Sequence, residues 1–329
     1  MRPFAYVRAD SADRAIAAST PGARFLAGGT TLLDLMKLDV MRPERVVDIN
    51  DLSDRYGQIE ANDEGVFLGA LVRMAEAAQH PRILADYPVI AQSLRFAASP
   101  QLRNMATLGG NVLQRTRCSY FRNSGVGSCN KREPGSGCAA IDGVNRKHAV
   151  LGVSPHCIAT YAGDLAQALI ALSAVVAISG PDGDRRIAFD QLHRLPGDRP
   201  ELETTLAPAE LITGFWVPAG AWTRRSLYLK VRDREAYEFA LSSAAVALDV
   251  ADGTVREARI GLGGVATIPW RARAAEEALK GQPMTAANAD AAAGTAFAEA
   301  QTRFDNAYKP ELGRRTLVRA LLAAAALEV

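Results

Sequence analysis

A long polar interval, Arg115 to Pro155, separates two strongly patterned regions of this chain and shows almost no periodic apolar pattern of its own. Three of the four cysteines, Cys118, Cys129 and Cys138, fall inside it, and the fourth, Cys157, follows at once. A structureless stretch of this length within a compact domain calls for something that orders it. The cysteines are separated by ten, eight and eighteen residues with no C-x-x-C pair, so spacing alone leaves zinc and iron–sulfur both open. Four unrelated buried thiols are the remaining reading. Gly125, Gly127, Ser128, Gly135, Ser136 and Gly137 free the backbone to wrap an object and to aim N–H groups at sulfur. Arg115, Arg117, Arg122, Lys131, Arg132, Arg146 and Lys147 would offset the negative charge of four thiolates. Both features favour a cluster. His148 and His156 are expected beside the sulfurs rather than as ligands.

The remainder of the 329 residues suits two or three domains. Residues 1–55 alternate Ser11–Ser19 (helix), Arg24–Ala27 (strand), Leu32–Leu38 (helix) and Arg45–Ile49 (strand), which implies parallel pairing. A second unit, 56–218 with the cysteine interval at about 115–158, carries a strand at Gly65–Leu68 and helices at Arg73–Ala78 and Ile83–Ala97. It continues with a helix at Asp164–Ser173 and a hairpin of Val175–Ser179 with Arg185–Phe189. The third, 219–329, has strands at Tyr228–Val231, Ser243–Val250 and Val255–Leu262, then helices at Ala272–Leu279, Ala286–Phe304 and Arg314–Leu327, an α+β pattern. With 38 basic against 36 acidic residues there is no footprint for nucleic acid. The longest apolar run, Leu165–Ile178, is broken by Gln167 and Ser173 and is too short for a membrane span. The charged N-terminus has no apolar h-region, so no signal peptide and a cytoplasmic site of folding are expected. Co-export with a signal-bearing partner would place the folded chain in the periplasm.

Two small-residue turns stand where anions bind. Leu26-Ala27-Gly28-Gly29-Thr30-Thr31-Leu32 joins a strand to a helix, and Ala106-Thr107-Leu108-Gly109-Gly110-Asn111 follows about 80 residues on. Together they would hold one diphosphate across a domain seam; each alone also reads as a tight turn, with Thr30 or Thr31 as a helix cap. Gly261-Leu262-Gly263-Gly264-Val265-Ala266 fits a dinucleotide fingerprint, but Thr267-Ile268-Pro269-Trp270 breaks the helix it requires, so a structural role is expected. His80, His148, His156 and His193 sit in unrelated contexts, and no hydrolytic triad is visible.

The segments FAYVRADSADRA, LAGGTTLLDLMK, PERVVDIN, FAASPQLRNMATLGGNV, CIATYAGDLAQALIALSA, YLKVRDREAYEFAL and GLGGVATIPWRA resemble the FAD-binding medium subunit of the molybdenum hydroxylases, the xanthine and carbon monoxide dehydrogenase group. The cysteine segment resembles the branch with an extra [4Fe-4S] loop, found in periplasmic aldehyde oxidoreductases and, as a related insertion, in 4-hydroxybenzoyl-CoA reductase. The resemblance implies an α+β fold: a two-subdomain FAD-binding (PCMH-type) N-terminal region and an α+β C-terminal domain of the CO dehydrogenase flavoprotein type. It implies that Leu26, Ala27, Gly28, Gly29, Thr30, Thr31 and Leu32 bind FAD with Ala106, Thr107, Gly109, Gly110 and Asn111. Asp164 would contact FAD and Lys230 would lie near the flavin ring. From pattern alone Asp164 reads as a helix N-cap and Lys230 equally well as an exposed strand lysine. Cys118, Cys129, Cys138 and Cys157 would ligate the cluster. The implied partners are a large molybdenum-cofactor subunit, a small [2Fe-2S] subunit and an external electron acceptor. The expected activity is that of an FAD-dependent oxidoreductase subunit, with substrate oxidised on the partner. A self-contained FAD oxidase and a zinc-stapled scaffold are the competing classes.

Overall fold

In the computed structural model, which describes residues 1–329, the N-terminal alternation closes into a three-stranded parallel sheet. β1 (Ala5–Arg8) and β2 (Ala23–Leu26) flank β3 (Arg45–Asp48), with Val47 opposite Val7 on one side and Phe25 on the other. α1 (Ala12–Ala18) and α2 (Leu32–Lys37) are the crossovers that parallel pairing demands. Ser11 starts α1 by accepting the Arg14 N–H. The core beneath is small: Ala9, Ala15, Ala23, Val47, Ile49 and Leu52, with Leu71 and Leu211. β1 is absent from the sequence reading; it is a mostly exposed edge strand with no apolar alternation, fixed only by pairing with β3.

After α3 (Ser53–Tyr56), β4 (Ile59–Ala61) and β5 (Gly65–Gly69) begin a five-stranded sheet. Its helices are α4 (Met74–Gln79), α5 (Pro81–Asp86), α6 (Pro88–Phe96), α7 (Pro100–Met105), α8 (Leu108–Val112), α9 (Ser119–Arg122) and α10 (Leu165–Ala171). The expected helix over Ile83–Ala97 is two helices, because Tyr87 leaves helical geometry at φ −136°, ψ 54° and Pro88, lacking an N–H, starts afresh. The hairpin is β6 (Val175–Gly180) with β7 (Gly183–Ala188), and β8 (Leu211–Pro218), unread in the sequence, slots between β5 and β6. All neighbours in the order β4-β5-β8-β6-β7 are antiparallel. Val66, Leu68, Ile90, Leu94, Leu108, Leu169, Val176 and Phe215 join sheet and helices in one core.

β9 (Ser226–Val231), β10 (Ser242–Ala251), β11 (Thr254–Gly263) and β12 (Trp270–Arg271) form an antiparallel sheet, followed by α11 (Arg273–Leu279), α12 (Ala286–Ala296) and α13 (Lys309–Ala325). β10 alternates between two cores. Ala245 and Ala247 point into the one containing α6 and α10, whereas Ala244, Val246 and Leu248 point into the one under α11 to α13. Apolar burial on both faces locks this sheet to the middle of the chain. The helix expected to reach Phe304 ends at Ala296, since Gln301 N–H donates to Val150 O at 2.8 Å and Asn306 Nδ2 to Ala149 O at 3.2 Å. Tertiary hydrogen bonds to the end of the cysteine interval thus replace helical ones. Gly261–Gly263 ends β11, between β10 and β12 in the sheet, so the fingerprint-like segment is part of a strand and has the structural role expected. No helix is long and apolar enough to cross a membrane.

Candidate functional site

The turn between β2 and α2 lies on the backbone that joins α7 to α8. A Cβ on Gly28 would stand 1.9 Å from Met105 O, so no side chain fits there, and Gly29 has φ +72°. No protein acceptor takes the backbone N–H of Gly28, Gly29, Thr30, Thr31 or Leu32; the helix bonds begin with Leu33 N–H to Gly29 O. Thr31 occupies the cap position, yet its side chain makes no cap bond, which corrects the reading of it as an N-cap side chain. Five unspent donors in one turn make an anion cradle. The facing loop is tied down instead: Gly109 N–H donates to Ala70 O at 2.8 Å, and Gly110 N–H to Thr107 Oγ1 at 3.2 Å. Asn111 Oδ1 is buried and has no hydrogen-bond partner in the protein, an acceptor waiting for an external donor. The structure therefore brings Gly28 against Met105 and Ala106, where the second loop begins.

A brace that the sequence reading missed holds this junction. Arg73 donates from Nη1 to Met105 O at 2.6 Å and from Nη2 to Asn50 Oδ1 at 3.1 Å. Asn50 Nδ2 in turn donates to Ala27 O at 3.0 Å. Asn50 stood in a quoted segment without a role, and nothing local marks Arg73, because each residue matters only through loops that meet across the fold.

Asp164 occupies the N-cap position of α10, but its side chain makes no cap bond. Its carboxylate accepts Tyr228 Oη–H at 2.6 Å and Lys230 Nζ–H at 2.9 Å, and Lys230 also donates to Phe96 O at 3.0 Å. The Lys230 and Asp164 side chains are only 2% and 5% exposed, which corrects the exposed-lysine reading and that of Asp164 as an N-cap side chain. Burial, then Asp164, pushes the Tyr228 hydroxyl well above its ordinary range, so it stays a proton donor to the carboxylate. Phe96 opens the segment that runs to the Ala106–Asn111 loop. The pair therefore meets the other end of the same stretch of chain.

All four cysteines line a single small cavity, with Tyr120, Phe121, Lys131, Asn130 and His156 among its walls. Cys129 and Cys138 pair as an isolated antiparallel bridge, closed by Asn130 N–H to Gly137 O at 2.7 Å and Gly137 N–H to Asn130 Oδ1 at 2.8 Å. Ala159 N–H points at Cys157 Sγ, 3.4 Å away. His148 Nε2 lies 3.2 Å from Cys118 Sγ, and burial lowers its pKa to about 4, so the imidazole is neutral beside the thiol. Burial pushes Cys118 up to about 12 and Cys157 in the same direction. Without a metal these thiols stay protonated. No three Cys, His, Asp or Glu side chains converge closely enough to chelate a single ion. Most of the basic residues expected to offset the charge of four thiolates have other partners. Lys131 alone of them lines the cavity, paired with Glu203 at 2.9 Å. Arg115 also meets Glu203, Arg117 and Arg122 meet Asp34, Arg132 collects the carbonyls of Tyr120, Phe121 and Asn123, and Arg146 and Lys147 meet Asp233. His193 is half-buried, edge-on to Tyr161, with Nε2 3.2 Å from Val112 O, a packing role.

Residues 2–220 match the family described as the FAD binding domain in molybdopterin dehydrogenase, and residues 227–329 the CO dehydrogenase flavoprotein C-terminal domain. The chain is 44% identical over 99% of its length to the aldehyde oxidoreductase FAD-binding subunit PaoB of Escherichia coli strain K12, covering 99% of that protein. It is 27% identical to the carbon monoxide dehydrogenase medium chain of Afipia carboxidovorans, over 91% of this chain and 86% of that one. The solved structure of carbon monoxide dehydrogenase from Hydrogenophaga pseudoflava superposes with a TM-score of 0.77 at 28% identity, covering 99% of both chains. With both family models matched in sequence order and this likeness to its relatives, the chain belongs to the FAD-binding subunits of the molybdenum hydroxylases.

Proposed function

We propose that this chain is the flavin subunit of a heterotrimeric aldehyde-oxidising enzyme. Electrons leave a substrate on a large molybdenum-cofactor subunit, cross a small [2Fe-2S] subunit and exit through this chain to an external acceptor. One observation carries the binding site: five unspent N–H groups gather in the turn where Gly28 packs against Met105 and Ala106. Leu26 to Leu32 would cradle the FAD diphosphate, with Ala106, Thr107, Gly109, Gly110 and Asn111 on its other side. Bound FAD supplies the exchange between single and paired electrons. The protein's part is to place it: Arg73 and Asn50 keep the two loops in register, and the dry Asp164–Lys230 pair sets the local field. A charged lysine beside a flavin stabilises its anionic reduced form, the role assigned to Lys230. The division 1–55, 56–218 and 219–329 is the domain scheme that goes with this reading.

The cysteine cavity is read as a [4Fe-4S] site held by Cys118, Cys129, Cys138 and Cys157. A cluster of four irons takes one thiolate per iron, so its ligands need not converge on one point. Four thiols around one cavity match that donor count. The 44% identity to an aldehyde oxidoreductase subunit supports an aldehyde over a benzoyl-CoA substrate. Flavin, iron and zinc analysis of the purified complex tests the proposal. Stoichiometric FAD with four irons beyond those of the small subunit is the expected result, and a colourless, zinc-containing chain would overturn it.

A further inference from the structure

The cysteine segment grips the helix that follows the flavin turn. Asp34 lies in the first turn of α2. Its carboxylate accepts Arg122 Nη1 and Nη2 at 2.8 and 3.0 Å and Arg117 Nη1 at 3.2 Å. These two arginines flank Cys118, one just before it and one at the end of α9. One residue on from Asp34, Leu35 is 1% exposed and packs with Phe121, Cys129 and Cys118, three residues that also line the cysteine cavity. The polar face of α2 is therefore held by arginines of the cysteine segment and its apolar face by walls of the cavity. The helix begins in the turn whose N–H groups are unspent, through Leu33 N–H to Gly29 O and Leu35 N–H to Thr31 O, both 3.0 Å. Any rotation of α2 carries those donors with it.

We propose that Asp34 is a positioning residue for FAD: by tying α2 to Arg117 and Arg122 it fixes the donors of Gly28 to Leu32, so that order in the cysteine segment is transmitted to flavin affinity. This rests on the flavin and cluster sites proposed above. Linkage makes the effect reciprocal: FAD then also favours the ordered segment.

The test uses the full complex, reversibly freed of FAD and retitrated while flavin fluorescence is followed. D34N and R122Q should each weaken FAD binding about five- to tenfold, the low end of measured site-to-site coupling. The iron content and the unfolding midpoint of the FAD-free complex should stay unchanged. D34E, which keeps the charge, should recover most of the affinity. C129S should weaken FAD similarly in the wild-type background and add little on top of D34N, a non-additive cycle. Should D34N fail to assemble, R122Q, which leaves Arg117 on Asp34, carries the measurement. Unchanged FAD affinity in D34N and R122Q, or strict additivity of D34N with C129S, overturns the proposal. Wild-type complex without the extra iron would remove the cluster reading instead, while D34N and R122Q would still decide whether Asp34 positions the flavin.

Discussion

Replacing Lys230 by methionine probes the buried pair most sharply. At 2.9 Å the attraction between Lys230 and Asp164 is about 6 kcal/mol at an effective dielectric of about 20. Desolvation of two side chains with 2% and 5% exposure offsets most of that, so the intact pair adds little net stability. Removing one partner is different. Lys230→Met leaves the Asp164 carboxylate buried with Tyr228 Oη–H as its remaining side-chain donor, at a cost of about 3–5 kcal/mol. Asp164→Leu strands the ammonium on Phe96 O and should cost about as much. The double variant removes both charges and should fall within about 2 kcal/mol of wild type. Urea unfolding of the FAD-free full chain, with m unchanged, supplies the four free energies without ligand linkage. A loss below about 1 kcal/mol for Lys230→Met, the value for an exposed pair, would refute the reasoning. Simple addition of the two single losses in the double variant would refute it too.

The same pair should set the flavin potential. Lys230→Met should lower the midpoint and Asp164→Asn raise it, by about 30 mV for each 1.4 kcal/mol of lost or gained stabilisation of a two-electron couple, read by spectroelectrochemistry; shifts in the same direction would exclude a field effect. Cys129→Ser separates the roles open to the cluster: slowed flavin reduction in an intact complex marks a relay, and failure of the loop to assemble, seen by limited proteolysis, marks a staple. Lys309 is fully buried, donates to Gly264 O at 2.6 Å and Lys147 O at 3.1 Å, and burial lowers its pKa to about 7. Its unfolded form holds the proton up to about 10, so between these values the unfolded chain binds more protons and stability rises with pH. Urea titrations should show that rise in wild type and its absence in Lys309→Met. A flat wild-type profile would mean that the two carbonyls keep the ammonium charged.

What the sequence revealed follows from how local each cause is. The Gly28-Gly29 turn was legible because a missing Cβ and a positive φ are properties of single residues. The cysteines were legible as a group because a polar interval without periodicity needs an organiser. Asp164 looked like an N-cap because nothing near it in sequence announces Tyr228 and Lys230, more than sixty residues away on β9. The arginines of the cysteine interval were misread for the same reason: their carboxylates, Asp34, Glu203 and Asp233, come from other elements. β8 escaped because its role, insertion between β5 and β6, exists only in the folded sheet.

The central claim is that FAD sits where Gly28 meets Met105. The flavin content of purified Gly28→Val complex tests it most directly, because the added side chain would enter the space held by Met105 O. The account predicts an assembled complex with its iron retained and its FAD lost. A Gly28→Val complex that keeps stoichiometric FAD would contradict it.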